Sequence, residues 1–195
     1  MKTKEQLLKI HLPGQMYYRT KTIHMTILCE VKEKPECVEH DIPLHEAAHW
    51  VTGIVMGWPV GKVTVDPDLN SGEIYFDAER INQSDKEENP NFILSDNPHE
   101  WPEELKATLG LQMAAIALAG DEAEMLAAGI MNYQPVVYAN SKDEALMRKY
   151  LEFGGFNPGY GMLYAQRLAR KILIKEWRRV VEKREELIQE ALTRV

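Results

Sequence analysis

The sequence predicts a mainly α-helical domain with a small β element, and three observations carry that expectation. Helix start and stop signals recur in four separate runs between Asp41 and Val195. Past the N-terminal region, β-type patterning is confined to two short runs flanking one turn. A length of 195 residues, 45% hydrophobic and 27% charged, gives the balance of one globular domain with a sizeable core.

Residues 17–31 (YYRTKTIHMTILCEV) are rich in β-branched and aromatic side chains with partial period-two alternation. They predict a strand or two in a β-containing extension, residues 1–39, packed on the main domain. Charged KEKPECVEHD breaks the pattern. Asp41 can then cap a helix that tolerates Pro43 near its start, runs from Leu44 to Met56 and stops at Gly57. Residues 62–65 and 73–76 read as a β-hairpin, because the intervening DPDLNSG supplies the Pro, Asn, Asp and Gly that turns require. Residues 82–98 turn polar and are too rich in Pro and Asn for a regular element, so we read a surface excursion and not a domain boundary.

Helix returns over 102–119 and continues to Gly129, then again from Ser141, a suitable N-cap, to Phe153 before a Gly-Gly pair. The last helix starts near Pro158 and runs almost to Val195. Its Ala169, Leu173, Trp177, Val180, Leu187 and Ala191 recur at steps of three, four or seven, which predicts one apolar face for core or subunit packing.

Lys plus Arg number 23 against 30 Asp plus Glu, a net charge of -7 that disfavours a non-specific hold on nucleic acid or anionic lipid. The basic residues of the last helix are interleaved with Glu176, Glu182, Glu185, Glu186 and Glu190, which suits i,i+4 ion pairs better than a nucleic-acid patch. Cys29 and Cys37 are too few for a disulfide framework or a four-thiolate zinc site. The N-terminus lacks an apolar signal region, and the most apolar stretch, 105–119, is short and contains Lys106 and Gln112. The expectation is a cytoplasmic protein with no membrane segment and no nucleic-acid partner.

Chemistry concentrates in His45-Glu46-Ala47-Ala48-His49, an HExxH pattern inside the first predicted helix. Histidines four apart on a helix bring their β-carbons within about 5 to 6 Å, so both rings can reach one ion at roughly 2.0 to 2.1 Å. Glu46 lies about 100° further round, where its carboxylate can flank the metal and face a bound water. Water on zinc has its pKa lowered towards about 7, and a neighbouring carboxylate can take its proton during attack on a peptide carbonyl. With six His in the chain, residue frequencies predict about 0.02 chance occurrences of the pattern. Catalytic zinc takes a third protein ligand. Spacing leaves Asp121, Glu122, Glu124 and Asp143 as candidates, with His24, His40 and His99 behind them.

These residues resemble the zinc peptidase domain of the FtsH-type AAA proteases. There a HEAGH helix precedes a β segment of the type VTI-x-P with a later Gly; here HEAAH precedes Val63-Thr64-Val65-Asp66-Pro67 and Gly72. An AGRAAE-type segment followed by Gly matches residues 119–124 and Gly129, and an Asp-containing helix start matches Asn140-Ser141-Lys142-Asp143. The resemblance spans roughly residues 40–190 and implies a zincin-like fold for a domain covering 40–195. It implies His45, His49 and Asp143 as ligands of one Zn2+, Glu46 as catalytic base, Glu124 as a residue orienting a ligand histidine, and Val63, Thr64 and Val65 as an edge to which extended substrate adds as a strand. The implied activity is that of a zinc metalloendopeptidase acting on extended or unfolded polypeptide, with a peptide-docking module that does not cut as the alternative.

The sequence departs from that family at Ala48, where the family has Gly, at Asp121, where it has Arg, and in the insertion 82–98. Residues 57–63 (GWPVGKV) are the nearest thing to a phosphate loop, but have one residue too few between the glycines and Val for Ser or Thr. No ATP binding by this chain is expected, so a separate ATPase or self-association are the partners left open beside the polypeptide substrate. Tyr133, Tyr138 and Tyr160 are conceivable oxyanion donors.

Overall fold

The structure, a computed structural model, describes residues 31–32, 38, 40–58, 60–76, 100–130, 137–138 and 142–194. Among them are four helices: α1 (Ile42–Val55), α2 (Glu103–Ala127), α3 (Lys142–Phe153) and α4 (Pro158–Leu192). Two pairs of strands accompany them. β1 (Val31–Lys32) runs parallel to β4 (Val137–Tyr138), and β2 (Val60–Val65) runs antiparallel to β3 (Gly72–Phe76). The mainly helical expectation with a small β element holds. The rest of the 17–31 strand, Cys29, Cys37, His24, His99, Tyr133, Asn140, Ser141 and the 82–98 excursion lie outside the described residues, as does the Tyr138 side chain.

Local signals set the helix ends. The Asp41 side chain accepts the Leu44 N–H at 3.0 Å, capping α1, and Pro43 falls where a missing N–H costs nothing. At the other end Gly57 adopts φ 79°, which lets its N–H reach Ile54 O and the Trp58 N–H reach Gly53 O, both at 3.0 Å. α2 and α3 close the same way, on Gly129 and Gly155. Asn157 caps α4 through the Gly159 N–H at 3.1 Å.

The hairpin register pairs Val63 with Ile74, Thr64 with Glu73 and Val65 with Gly72. Alternation sends Val63 and Val65 into the core, where they join Ala47, Ala48 and Val51 of α1 and the buried faces of α2 and α4. α1 packs against α2, α4 and the hairpin, so its HExxH face is enclosed rather than solvated. Of the six α4 positions singled out by periodicity, Ala169, Leu173, Val180, Leu187 and Ala191 are buried and Trp177 is half-buried.

Charges on α4 are largely engaged within the fold. Arg170 lies inside, 2.8 Å from Glu122, whose other oxygen accepts from Gln166 at 2.5 Å. Arg184 meets the Asp41 cap at 2.8 Å, Arg178 pairs with Glu182 at 2.7 Å, and Arg179 and Lys183 stack over the Trp50 ring at 5.4 and 5.0 Å. Among the described residues no helix is long and apolar enough to cross a membrane.

Candidate metal centre

The two histidines of α1 project onto α2, which runs past them in the opposite sense. Ile116, Gly120 and Glu124, spaced four apart on one stripe of α2, each serve them. The Ile116 carbonyl accepts from His49 Nδ1 at 2.6 Å. Gly120 supplies the space for the His45 ring: a β-carbon there would collide with its Cε1, Nε2 and Cδ2 atoms. Glu124 Oε2 lies 3.7 Å from His45 Nδ1. The rings sit edge to face, centroids 4.6 Å apart, and both residues are buried.

Asp143, in the first turn of α3, completes the cluster. Its Oδ2 is 2.9 Å from His45 Nε2 and 3.7 Å from His49 Nε2. The structure thus brings Asp143 to a histidine pair nearly a hundred residues earlier in sequence, with donor atoms within 4.8 Å of one another. The donor chemistry fits a cation. His49 donates from Nδ1 to the Ile116 carbonyl, which turns its Nε2 towards the Asp143 carboxylate, 3.7 Å away, where both can face one cation. These groups could hold a metal ion.

Without a metal, a proton plays that part. Burial disfavours a charged His45 ring, but the hydrogen bond to Asp143 and then the Glu124 carboxylate outweigh it and push its pKa up to about 10. Burial would raise Asp143, yet the hydrogen bond to His45 and the nearby His49 ring win and hold it well below the usual carboxylate range. The signs differ at the two ends of the pH scale. The raised histidine contributes stability that is complete below about pH 6.5, its unfolded value, and is lost as pH climbs through about 10. The depressed aspartate contributes stability present above about pH 3.9 and lost in acid. Chelator-treated protein should therefore show a melting temperature that falls between pH 7 and 10, and His45→Ala should flatten that limb. Because metal must displace this proton, its affinity should rise about tenfold per pH unit from 7 to 9; a flat profile by chelator competition would contradict the pairing.

Glu46 lines a cleft of about 350 Å³ whose walls also include His49, Asp143, Glu73, Met113 and Tyr150. Gly72 of β3 lies against it, where a β-carbon would come within 2.5 Å of Glu46 Cγ. Burial raises the Glu46 pKa, the histidines only partly offsetting it, and its Oε2 has no hydrogen-bond partner. That makes Glu46 a more basic carboxylate than usual, with one buried oxygen carrying no hydrogen bond.

Other residues singled out from sequence fall elsewhere. Glu122 is committed to Arg170 and Gln166, away from the histidines. Glu124 meets His45 on the Nδ1 side, opposite Asp143, and also accepts from His40 Nδ1 at 2.7 Å and the Asp41 N–H at 3.0 Å. The hairpin strand lining the cleft is β3, through Gly72, Glu73 and Ile74; Val63, Thr64 and Val65 of β2 do not line it, because Val63 and Val65 face the core. Tyr160 is exposed and outside the cleft; the tyrosine within it is Tyr150, its phenol pKa raised by burial. Asp143, Leu146 and Tyr150 stand at i, i+3 and i+7 on α3, a spacing from which Tyr150 was readable once Asp143 was placed.

No protein-family model, curated protein or solved structure matches the chain.

Proposed function

We propose that the chain is a zinc-dependent endopeptidase of zincin type, acting on extended or unfolded polypeptides in the cytoplasm as the proteolytic domain of FtsH-type AAA proteases does. The observation that carries the reading is the convergence of His45, His49 and Asp143 beside a buried, partly unpaired Glu46 at one cleft. Two imidazoles and a carboxylate form a donor set that zinc accepts with a position left open. When bound, zinc supplies Lewis acidity to the scissile carbonyl and lowers the pKa of the attacking water.

The chain's own groups do the rest. Glu46 takes the proton released as water oxygen bonds to the carbonyl carbon, and returns it to the amine nitrogen as the C–N bond breaks. The Tyr150 phenol, kept protonated by burial, is an O–H donor available in the cleft to the developing oxyanion. An extended substrate laid along β3 would place side chains against Ile74, Met113, Ile116 and Leu146. Delivery by a separate ATPase, or self-association, belongs to the same proposal.

Purified chain should carry one zinc and hydrolyse casein or an internally quenched peptide, lose that activity on chelation and regain it with added zinc. Stoichiometric zinc with no hydrolysis would turn the reading into a peptide-docking module, and no metal would overturn both.

A further inference from the structure

Glu124 faces His45 and is also bonded by a residue with no part in the reaction. Its Oε1 accepts from His40 Nδ1 at 2.7 Å and from the Asp41 N–H at 3.0 Å. Two donors on one oxygen fix the plane of the carboxylate, which leaves Oε2 turned towards His45 Nδ1, 3.7 Å away. That nitrogen is buried and has no hydrogen-bond partner, and it lies within about 1 Å of hydrogen-bonding distance. The His40 side chain is 59% exposed and the Glu124 side chain 0%, so the string His40, Glu124, His45 runs from solvent to the inner face of the metal centre.

We propose that His40 is a positioning residue for the metal ligand: by anchoring Glu124 it aims a carboxylate oxygen at His45 Nδ1, which keeps the proton on that nitrogen and the Nε2 lone pair directed at the ion. The inference rests on the metal-centre reading above. Residues that orient a ligand imidazole typically change metal affinity about 10- to 100-fold. His40 acts one step further out, and the lower figure applies. His40, His45 and Glu124 offer ligand atoms within 4.8 Å of one another and so resemble a second cation site. The existing bonds favour the relay, since Glu124 Oε1 is already shared by two donors and His45 would have to give up both ring protons to serve two ions.

The test uses the full chain in three forms, wild type, His40→Ala and His40→Asn, the Asn amide being able to donate from nearly the place of Nδ1. Zinc affinity by chelator competition, metal stoichiometry, and the visible spectrum of the Co2+-substituted protein are measured on each. The relay predicts about tenfold weaker zinc binding and an altered cobalt spectrum in His40→Ala, with both restored in His40→Asn and one metal per chain throughout. Unchanged affinity and spectrum in His40→Ala would overturn it, as would a loss that His40→Asn fails to restore. Two metals per chain falling to one in His40→Ala would replace it with a second cation site. Wild-type chain that bound no metal would overturn the metal centre as well, a failure separable from that of the relay alone.

Discussion

Glu46→Gln should lower the turnover of an unstructured substrate by about 10²- to 10⁴-fold while leaving the zinc content unchanged. The substitution keeps the shape that packs against Gly72, where there is no spare room, and removes only the ability to hold a proton. None of the three converging donors is altered, so the metal stays. Stability should be unchanged or higher, because the native carboxylate is buried with an oxygen lacking a partner and burial disfavours its charge, whereas a neutral amide escapes that penalty. Steady-state hydrolysis, metal analysis and thermal melting on one preparation check all three. A Gln variant retaining more than about a tenth of the activity would remove Glu46 from the role of base.

How far the site was legible depends on whether each contact is local in sequence. The His45 and His49 pair is fixed by helical periodicity, and the helix itself is announced by Asp41, Pro43 and Gly57, so this half could be read directly. The third donor is a meeting between helices. Spacing left Asp121, Glu122, Glu124 and Asp143 open, and only a resemblance distinguished them; in the structure Glu122 is drawn off by Arg170 and Gln166 on α4, a pairing no local pattern announces. The hairpin shows the same limit. Two short β-type runs around a turn-rich segment identify the strands, but which strand borders the cleft depends on how the hairpin sits on α1, and it is β3 that faces Glu46 through Gly72. Gly120 was invisible for the opposite reason: inside a helix a glycine looks like a weak point, and its purpose appears only when the His45 ring is found against it.

Gly120→Ala therefore provides a severe test of the centre. In an open helix interior the change should stabilise by up to about 1 kcal/mol, since Ala is the better helix former. Here the added methyl meets three atoms of the His45 imidazole, and Gly120 lies mid-helix with helical backbone on both sides, so the ring must yield. Overpacking of this kind costs about 1 to 3 kcal/mol, which exceeds the propensity gain. Displacing the ring moves Nε2 away from the point it shares with His49 and Asp143, and the ion loses a donor. The expected result is a folded protein of lower melting temperature whose zinc affinity has fallen at least about 100-fold, with peptide hydrolysis lost accordingly. The collision itself can be isolated in a double-mutant cycle. Once His45→Ala has removed the ring, adding Gly120→Ala should no longer destabilise the metal-free protein, and the helix preference for Ala should emerge instead. Equal destabilisation by Gly120→Ala in both backgrounds would mean that some neighbour other than His45 sets the need for glycine, and that the ring is not seated against α2 at this position.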